Sequence, residues 1–503
     1  MKFLKVLCVL AVALCLAGSV YAETQSVKVS GDLTMRALFR SDYDYRGSIS
    51  EPDVTRTDVG SEAAYNWFMS VAEVEVDADL TDNVQTVIRL VNQRDWNPTN
   101  SNVGNGWVNG AVANPGKTIM QGTTLGVNGL GGYNYNPNEF AVQLDLAYVT
   151  LKDFIYAPLT LTIGRQDIWI GKGFIVGLNQ QDPTTALRAP EYTAINSFDA
   201  IKAVLDYDPL TITGLWSNIH TNAIQANDDV DLWGINAGYR FNAYKAEAEG
   251  YGCLKKDKSN EGWGSLVGYN TNDINVLGLR GSGDPIEWIT VAGEGAYQFG
   301  SYVGNRSQIN KRARQAFALD FSGEVRYFTE KYSWKPKGGF EYIYYSGQGG
   351  DSNPQLASGI YHGWDPIYRG KFDSKIREFV GRYYASYDYP VRPDFVYSTA
   401  DASFTNQHQF IFSGSIQPVD SLLLKANYNL FWNDQRYLVG NMNQQPDAKT
   451  LGFIGQELDL RADWDYTEDV SFGILGAFFA PGEVYTNAKK TATDIIATVN
   501  VSF

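Results

Sequence analysis

Activating a serine for acyl transfer calls for a histidine beside it in space, and this chain of 503 residues has only three, His220, His362 and His408. Two of them fall in expected loops and one on an expected strand, so no triad is motivated and the expectation is a protein that is not an enzyme. The chemistry that the sequence does repeat is ionic. Glu73, Glu75, Asp77 and Asp79 alternate with Ala72, Val74, Val76 and Ala78, and Gln85 and Arg89 alternate with Val84, Ile88 and Leu90. Charges at every second position share one face of an extended chain. A face of that kind can replace the water of a hydrated solute and set the sign of a passage.

Smaller constellations are read two ways. Asn227-Asp228-Asp229-Val230-Asp231 has calcium-binding residue types but lacks the glycine and distal glutamate of a dedicated loop, which favours a solvated turn. Trp364-Asp365-Pro366 with Arg369 could stack a sugar ring or anchor a loop, the latter being favoured. Cys253, next to Gly252 on a strand, reads as a small packing residue. No cofactor or metal site is expected.

The elements that must position the charges follow from the same alternation, since a period of two marks a strand. Val27, Val29, Gly31, Leu33, Met35, Ala37 and Phe39 share one parity while Lys28, Ser30, Asp32, Thr34, Arg36 and Arg40 share the other. Together with strands at 65–80 and 83–93, further ones are expected near 139–152, 159–170, 198–207, 210–219, 230–241, 244–255, 272–282, 286–300, 313–329, 332–346, 403–417, 420–434, 451–466, 469–481 and 491–503. The stretch 376–388 is left in its loop, because a further strand would make the count odd.

Connection lengths also alternate. Long ones at 41–64, 94–138, 171–197, 256–271, 347–402 and 435–450 follow odd strands, and tight turns such as Thr81-Asp82, Asp208-Pro209, Asp284-Pro285, Pro418-Val419-Asp420 and Thr467-Glu468 follow even ones. That asymmetry is the mark of a transmembrane antiparallel β-barrel of about 18 strands with long external loops and short periplasmic turns. Loops within 94–138 and 347–402 are expected to fold inward, being far longer than ordinary connections.

Composition agrees. Residues 1–22 read as a signal peptide, with Lys2 and Lys5 before an apolar run and Val20-Tyr21-Ala22 at the cleavage site, which leaves 23–503 as the barrel. Removing it leaves Cys253 as the one cysteine, so no internal disulfide forms. Past residue 22 there is no run of 18 apolar residues, which excludes a helical span. Aromatic residues make up 14% of the chain and glycine contributes 49 residues, as suits strands that are greasy on one side. The net charge of −15 excludes nucleic acid as a partner.

In hydrocarbon every backbone N–H and C=O must be paired, and only a closed sheet has no edge. By parity the inward face then carries Arg36, Arg89, Lys202, Arg240, Lys245, Arg326, Lys425 and Arg461 with Asp32, Asp145, Glu247, Glu249, Asp320, Glu324, Glu457, Asp459 and Asp463. These charges either touch solute or pair with one another to hold the wall. Eighteen strands enclose more room than side chains fill, so an aqueous lumen is expected. Arg165 shares the parity of Leu159, Leu161 and Ile163 and would meet lipid, at a cost of about 2 to 4 kcal/mol near the midplane. A bulge at Gly164 that turns Arg165 and Asp167 inward and Ile168 and Ile170 outward is the expectation, against the alternative that Arg165 snorkels at the rim.

Ile163-Gly164-Arg165-Gln166-Asp167-Ile168 followed by Gly171-Lys172-Gly173 resembles the Gly-Arg-Gln strand motif of the alginate-export family of outer-membrane barrels. Phe198-Asp199-Ala200-Ile201 resembles that family's next strand, and Gly455-Gln456-Glu457-Leu458-Asp459-Leu460 with Gly476-Ala477-Phe478-Phe479-Ala480-Pro481-Gly482 is similar to its closing hairpin. The resemblance implies an 18-stranded monomer with a narrow, charge-lined pore and infolded loops, in a family whose best-known members export an anionic polysaccharide through an arginine-rich constriction. The mixed sign of the lumen departs from such a conduit, so transport carries over and the substrate does not. The last strand ends on Phe503, which resembles the signal read by the barrel assembly machinery. Expected partners are outer-membrane lipid, that machinery and a polar solute or polysaccharide. A general diffusion porin is the alternative function.

Overall fold

The computed structural model describes residues 26–42, 65–96, 142–179, 195–220, 229–258, 272–303, 311–329, 331–348, 359–380, 404–435, 452–483 and 490–503. The expected signal peptide and the whole of 97–138 lie outside the described residues. In chain order the strands are β1 (Ser26–Ser41), β2 (Tyr65–Thr81), β3 (Val84–Asp95), β4 (Gln143–Leu151), β5 (Leu159–Gln166) and β6 (Phe198–Asp206). They continue as β7 (Leu210–His220), β8 (Val230–Phe241), β9 (Ala246–Asp257), β10 (Asn272–Ile286), β11 (Ile289–Val303) and β12 (Lys311–Val325). The last are β13 (Lys337–Tyr345), β14 (Gln407–Val419), β15 (Leu422–Asn433), β16 (Phe453–Asp465), β17 (Val470–Pro481) and β18 (Ala492–Ser502).

Every strand pairs antiparallel with its chain neighbours, and β1 pairs with β18, so the sheet closes into a barrel. At the seam Phe503 exchanges both backbone hydrogen bonds with Gly31, at 2.9 and 3.0 Å. Its ring lies over that glycine: a Cβ on Gly31 would stand 2.6 Å from the Phe503 ring. Connections after even strands are short, and the long connections emerge at the opposite end.

Parity sorts the two faces as expected. The outward positions of β8 and β10 carry Ile235 at 58% and Leu279 at 74% exposure, an arrangement costly in water and favourable in hydrocarbon. Exposed Tyr207, Tyr244, Trp288, Tyr327, Trp334 and Tyr466 ring the turn end, where amphipathic aromatics meet lipid headgroups.

Arg165 requires a correction. It lies opposite Asp199, and Ile163 lies opposite Ile201, which is exposed on the outer wall. Gly164 does adopt a positive φ of 126°, but β5 keeps its phase through it. The glycine serves a close backbone approach instead, since a Cβ there would be 2.2 Å from the Ala147 carbonyl oxygen. Arg165 begins a polar row that passes through Asp199, Asn218, Asp231 and Lys256 to Asp273, each directly opposite the next. The Arg165 guanidinium stands 3.5 Å from the Asp199 carboxylate. The row marks the upper limit of the hydrocarbon, the place to which an arginine snorkels. Ile168 and Ile170 do not face lipid either; both are buried inside the barrel.

Candidate functional site

Two segments leave the rim and fold into the barrel. The first, 167–179, begins where β5 ends; Ile168, Ile170, Phe174, Ile175 and Val176 pack on inward side chains of β6 to β14, including Phe198, Tyr251, Ile343 and Tyr345. The second, 359–380, belongs to one of the two loops expected to fold inward and ends in a single wide turn at Lys375–Val380. The two pair with each other through a parallel bridge between Val176 and Tyr368, with Tyr368 N–H donating to the Ile175 carbonyl at 3.0 Å and Gly370 N–H to the Gly173 carbonyl at 2.9 Å. Glycine makes this approach possible: a Cβ on Gly177 would sit 2.9 Å from the Gly370 Cα. The Trp169 ring covers Gly173, Gly177 and Gly370 together, closing the clasp.

Buried charge fixes the second segment to the wall. Arg369 is fully buried, its guanidinium 5.0 Å from the Phe174 ring centroid and 5.1 Å from that of Phe404. It donates to the Lys371 carbonyl at 2.9 Å and to Asp373 at 3.2 Å. Burial works against the charge on Arg369, but Tyr345, Glu378, Asp373 and Asp320 around it hold its pKa above the usual range. The Lys371 ammonium reaches Asp320 at 3.2 Å, Asp373 at 3.3 Å and Glu341. Trp364 and Arg369 are thus loop anchors, not a sugar platform.

Glu457 and Asp459 require a second correction. Both project from the inward face of β16, yet Glu457 is 0% exposed and Asp459 nearly so. The second segment covers them: Glu457 accepts the N–H groups of Ile376 at 2.5 Å and Arg377 at 2.8 Å, and Asp459 that of Lys375 at 3.1 Å. Two wall carboxylates therefore satisfy the first N–H groups of the 375–380 turn.

Below the clasp, toward the turn end, the inward face is polar and accessible. Arg89 bridges Asp145 at 2.6 Å, Asp167 at 3.4 Å and Glu75 at 3.7 Å. Arg326 lies 3.1 Å from Asp284 and 3.7 Å from Glu324. Lys425 and Arg461 stand directly opposite each other and both are exposed, with Asp463 2.8 Å from Arg461. Lys202 and Arg240 share the inward face of β6 and β8, and Arg36 that of β1.

Sequence reasoning missed Lys172, Lys371 and Lys375 as site residues; all three are half-buried cations on the infolded segments. Lys172 donates to the Ser322 hydroxyl at 3.1 Å. No alternation marks them, and the one available signal was the pair of glycines around Lys172. Cys253 is buried in the interior apolar cluster, as a packing residue should be. Among the described residues no group of three or more His, Cys, Asp or Glu could hold a metal ion.

A closed 18-stranded cylinder, apolar outside and ionic within, defines an outer-membrane channel of the porin class. Residues 55–498 match the model of the family described as alginate export, and the chain belongs to that family. Among solved structures it is similar to OccAB1 of Acinetobacter baumannii, with 11% identity over 97% of this chain and 99% of that one and a TM-score of 0.52. OccAB4 of the same organism matches at 9% identity over 96% and 99%, TM-score 0.51. OccK2 (OpdF) of Pseudomonas aeruginosa in complex with glucuronate matches at 11% identity over 97% and 100%, TM-score 0.50. No curated protein sequence matches the chain. The protein is an outer-membrane channel for polar solutes.

Proposed function

We propose that this channel takes small polar solutes, short oligosaccharides among them, one at a time past a fixed constriction, and is selective for substrate without being a conduit for long polyanions. The observation that carries this is the mixed sign of the accessible wall. Glu73, Glu75, Asp77 and Asp79 line β2, while Lys202, Arg240 and Lys425, which have no ion-pair partner among the described residues, line β6, β8 and β15. Lys425 stands directly opposite Arg461, whose guanidinium Asp463 holds at 2.8 Å, so Lys425 is the cation of the two left to meet a solute. Arg36, Arg89, Glu324 and Arg326 complete the lining. Arg165, Glu457 and Asp459 have no part in it.

The chain works as a monomer without enzymatic activity, is delivered by its signal peptide, and is inserted by the barrel assembly machinery reading Phe503. Planar-bilayer recording of the refolded protein tests the transport reading. A small, voltage-insensitive conductance, reduced by short acidic and neutral oligosaccharides alike, is expected. A large conductance indifferent to sugars would make it a general diffusion porin; block by long polyuronate alone would restore the polysaccharide conduit.

A further inference from the structure

The outer wall at the turn end of β13 to β18 is not evenly covered. A groove of about 780 Å³ runs across it, floored by Gly414, Ala426, Ala462 and Gly476 and flanked by Ile474 and Ile495. The floor is open: a Cβ on Gly338, opposite Gly414, would meet nothing within 4 Å, and one on Gly414 only the Lys337 carbonyl at 3.8 Å. These positions belong to the outward parity, with Gly414 opposite Ala426, Ala426 opposite Leu460, and Leu460 opposite Gly476. The groove therefore lies within the lipid-facing surface and continues it.

Its mouth is built differently from the other turns. The β12–β13 connection is the longest at this end and carries a chain of ring contacts from Trp288 through Tyr327, Phe328 and Tyr332 to Trp334. Trp334 and Pro336 overhang the groove. Beside them the Lys335 ammonium lies 2.9 Å from the Asp420 carboxylate, and both side chains are exposed. The Trp334 carbonyl accepts the Gln417 N–H at 2.7 Å, which fixes the overhang to β14.

We propose that this groove is a binding site for one phospholipid of the periplasmic leaflet carrying a phosphate and a primary ammonium. An acyl chain fills the small-residue floor, where a void in hydrocarbon would otherwise forfeit contact on one side. At the mouth Lys335 takes the phosphate and Asp420 the ammonium, so that the headgroup exchanges one exposed ion pair for two; Trp334 packs at the interface as such rings do. The volume falls within the range of small-molecule sites, about 300 to 1,000 Å³.

Native mass spectrometry of the purified full chain in detergent tests this, titrating phosphatidylethanolamine, phosphatidylglycerol and phosphatidylcholine with the same acyl chains. One saturable phosphatidylethanolamine adduct is expected at a concentration about fivefold below that needed for the other two. Gly414→Leu with Ala426→Phe should abolish the adduct while bilayer conductance, which reports an intact barrel, stays unchanged. Lys335→Gln with Asp420→Asn, remote from the floor, should bring the three lipids to equal affinity, and decides the matter if the filled groove fails to fold. Equal binding of the three lipids by the parent protein, an undiminished adduct in the filled-groove variant, or an undiminished preference in the headgroup variant overturns the proposal.

Discussion

Lys371 is held by three carboxylates in a place with little water, and removing one partner of such a set leaves charge without compensation. Lys371→Met should destabilise the refolded protein by about 3 kcal/mol in urea melts and add open-channel noise as the second segment loosens. Glu378 gives the pH dependence. Burial first, and Asp373 next, push its carboxyl from 4.5 up to about 8, despite the opposing pull of Arg369. A raised carboxyl favours the proton-bound fold, so its contribution is complete below 4.5 and is lost as pH rises through about 8. Stability measured across the range from mildly acidic to alkaline should therefore fall toward the alkaline end, and Glu378→Gln should flatten that fall.

At the scale of elements, the clasp depends on two glycines facing one another. Gly177→Val has no room against Gly370 and Trp169, and should part the segments and raise single-channel conductance. Strands were legible because a barrel wall imposes one rule on every residue: lipid on one side, water on the other. The eighteen expected strands are the eighteen that form, and the described part of the stretch left in its loop, 376–380, lies in a turn, as the even count required. Where strands stop, so does the rule. Arg369, Lys371 and Lys375 sit on a segment without period, and nothing local to it says that Glu457 and Asp459 will be covered. Length alone pointed to infolding within 94–138, of which 97–138 lies outside the described residues, and within 347–402, while 167–179 is held inside by apolar residues, two of which, Ile168 and Ile170, the expected bulge had turned toward lipid. Arg165 shows the opposite error: parity placed it correctly, and the cost of an arginine in lipid suggested a phase change that the rim makes unnecessary. Arg165→Leu should accordingly leave conductance unchanged in planar bilayers.

For the whole molecule, charge of both signs along the accessible wall predicts weak ion selectivity, with a reversal potential near zero in a salt gradient. Lys425→Glu removes an exposed cation that has no ion-pair partner among the described residues and should shift that potential toward cation preference, while the stability of the barrel stays within the ordinary range for surface substitutions, about 0.5 kcal/mol. The family resemblance read from the Gly-Arg-Gln motif and the closing hairpin holds across residues 55–498, whereas the substrate it suggests is not supported by the wall's charge.

The pairing of β1 with β18 joins the two strands farthest apart in sequence. Until that last zipper forms, the sheet has two live edges, each able to recruit a stranger's strand, and because the contact is so remote along the chain it forms late. Transit through the periplasm is thus a race between insertion and sticking, and slowing the delivery of this protein should fill the compartment with insoluble sheet before it depletes the membrane of pores.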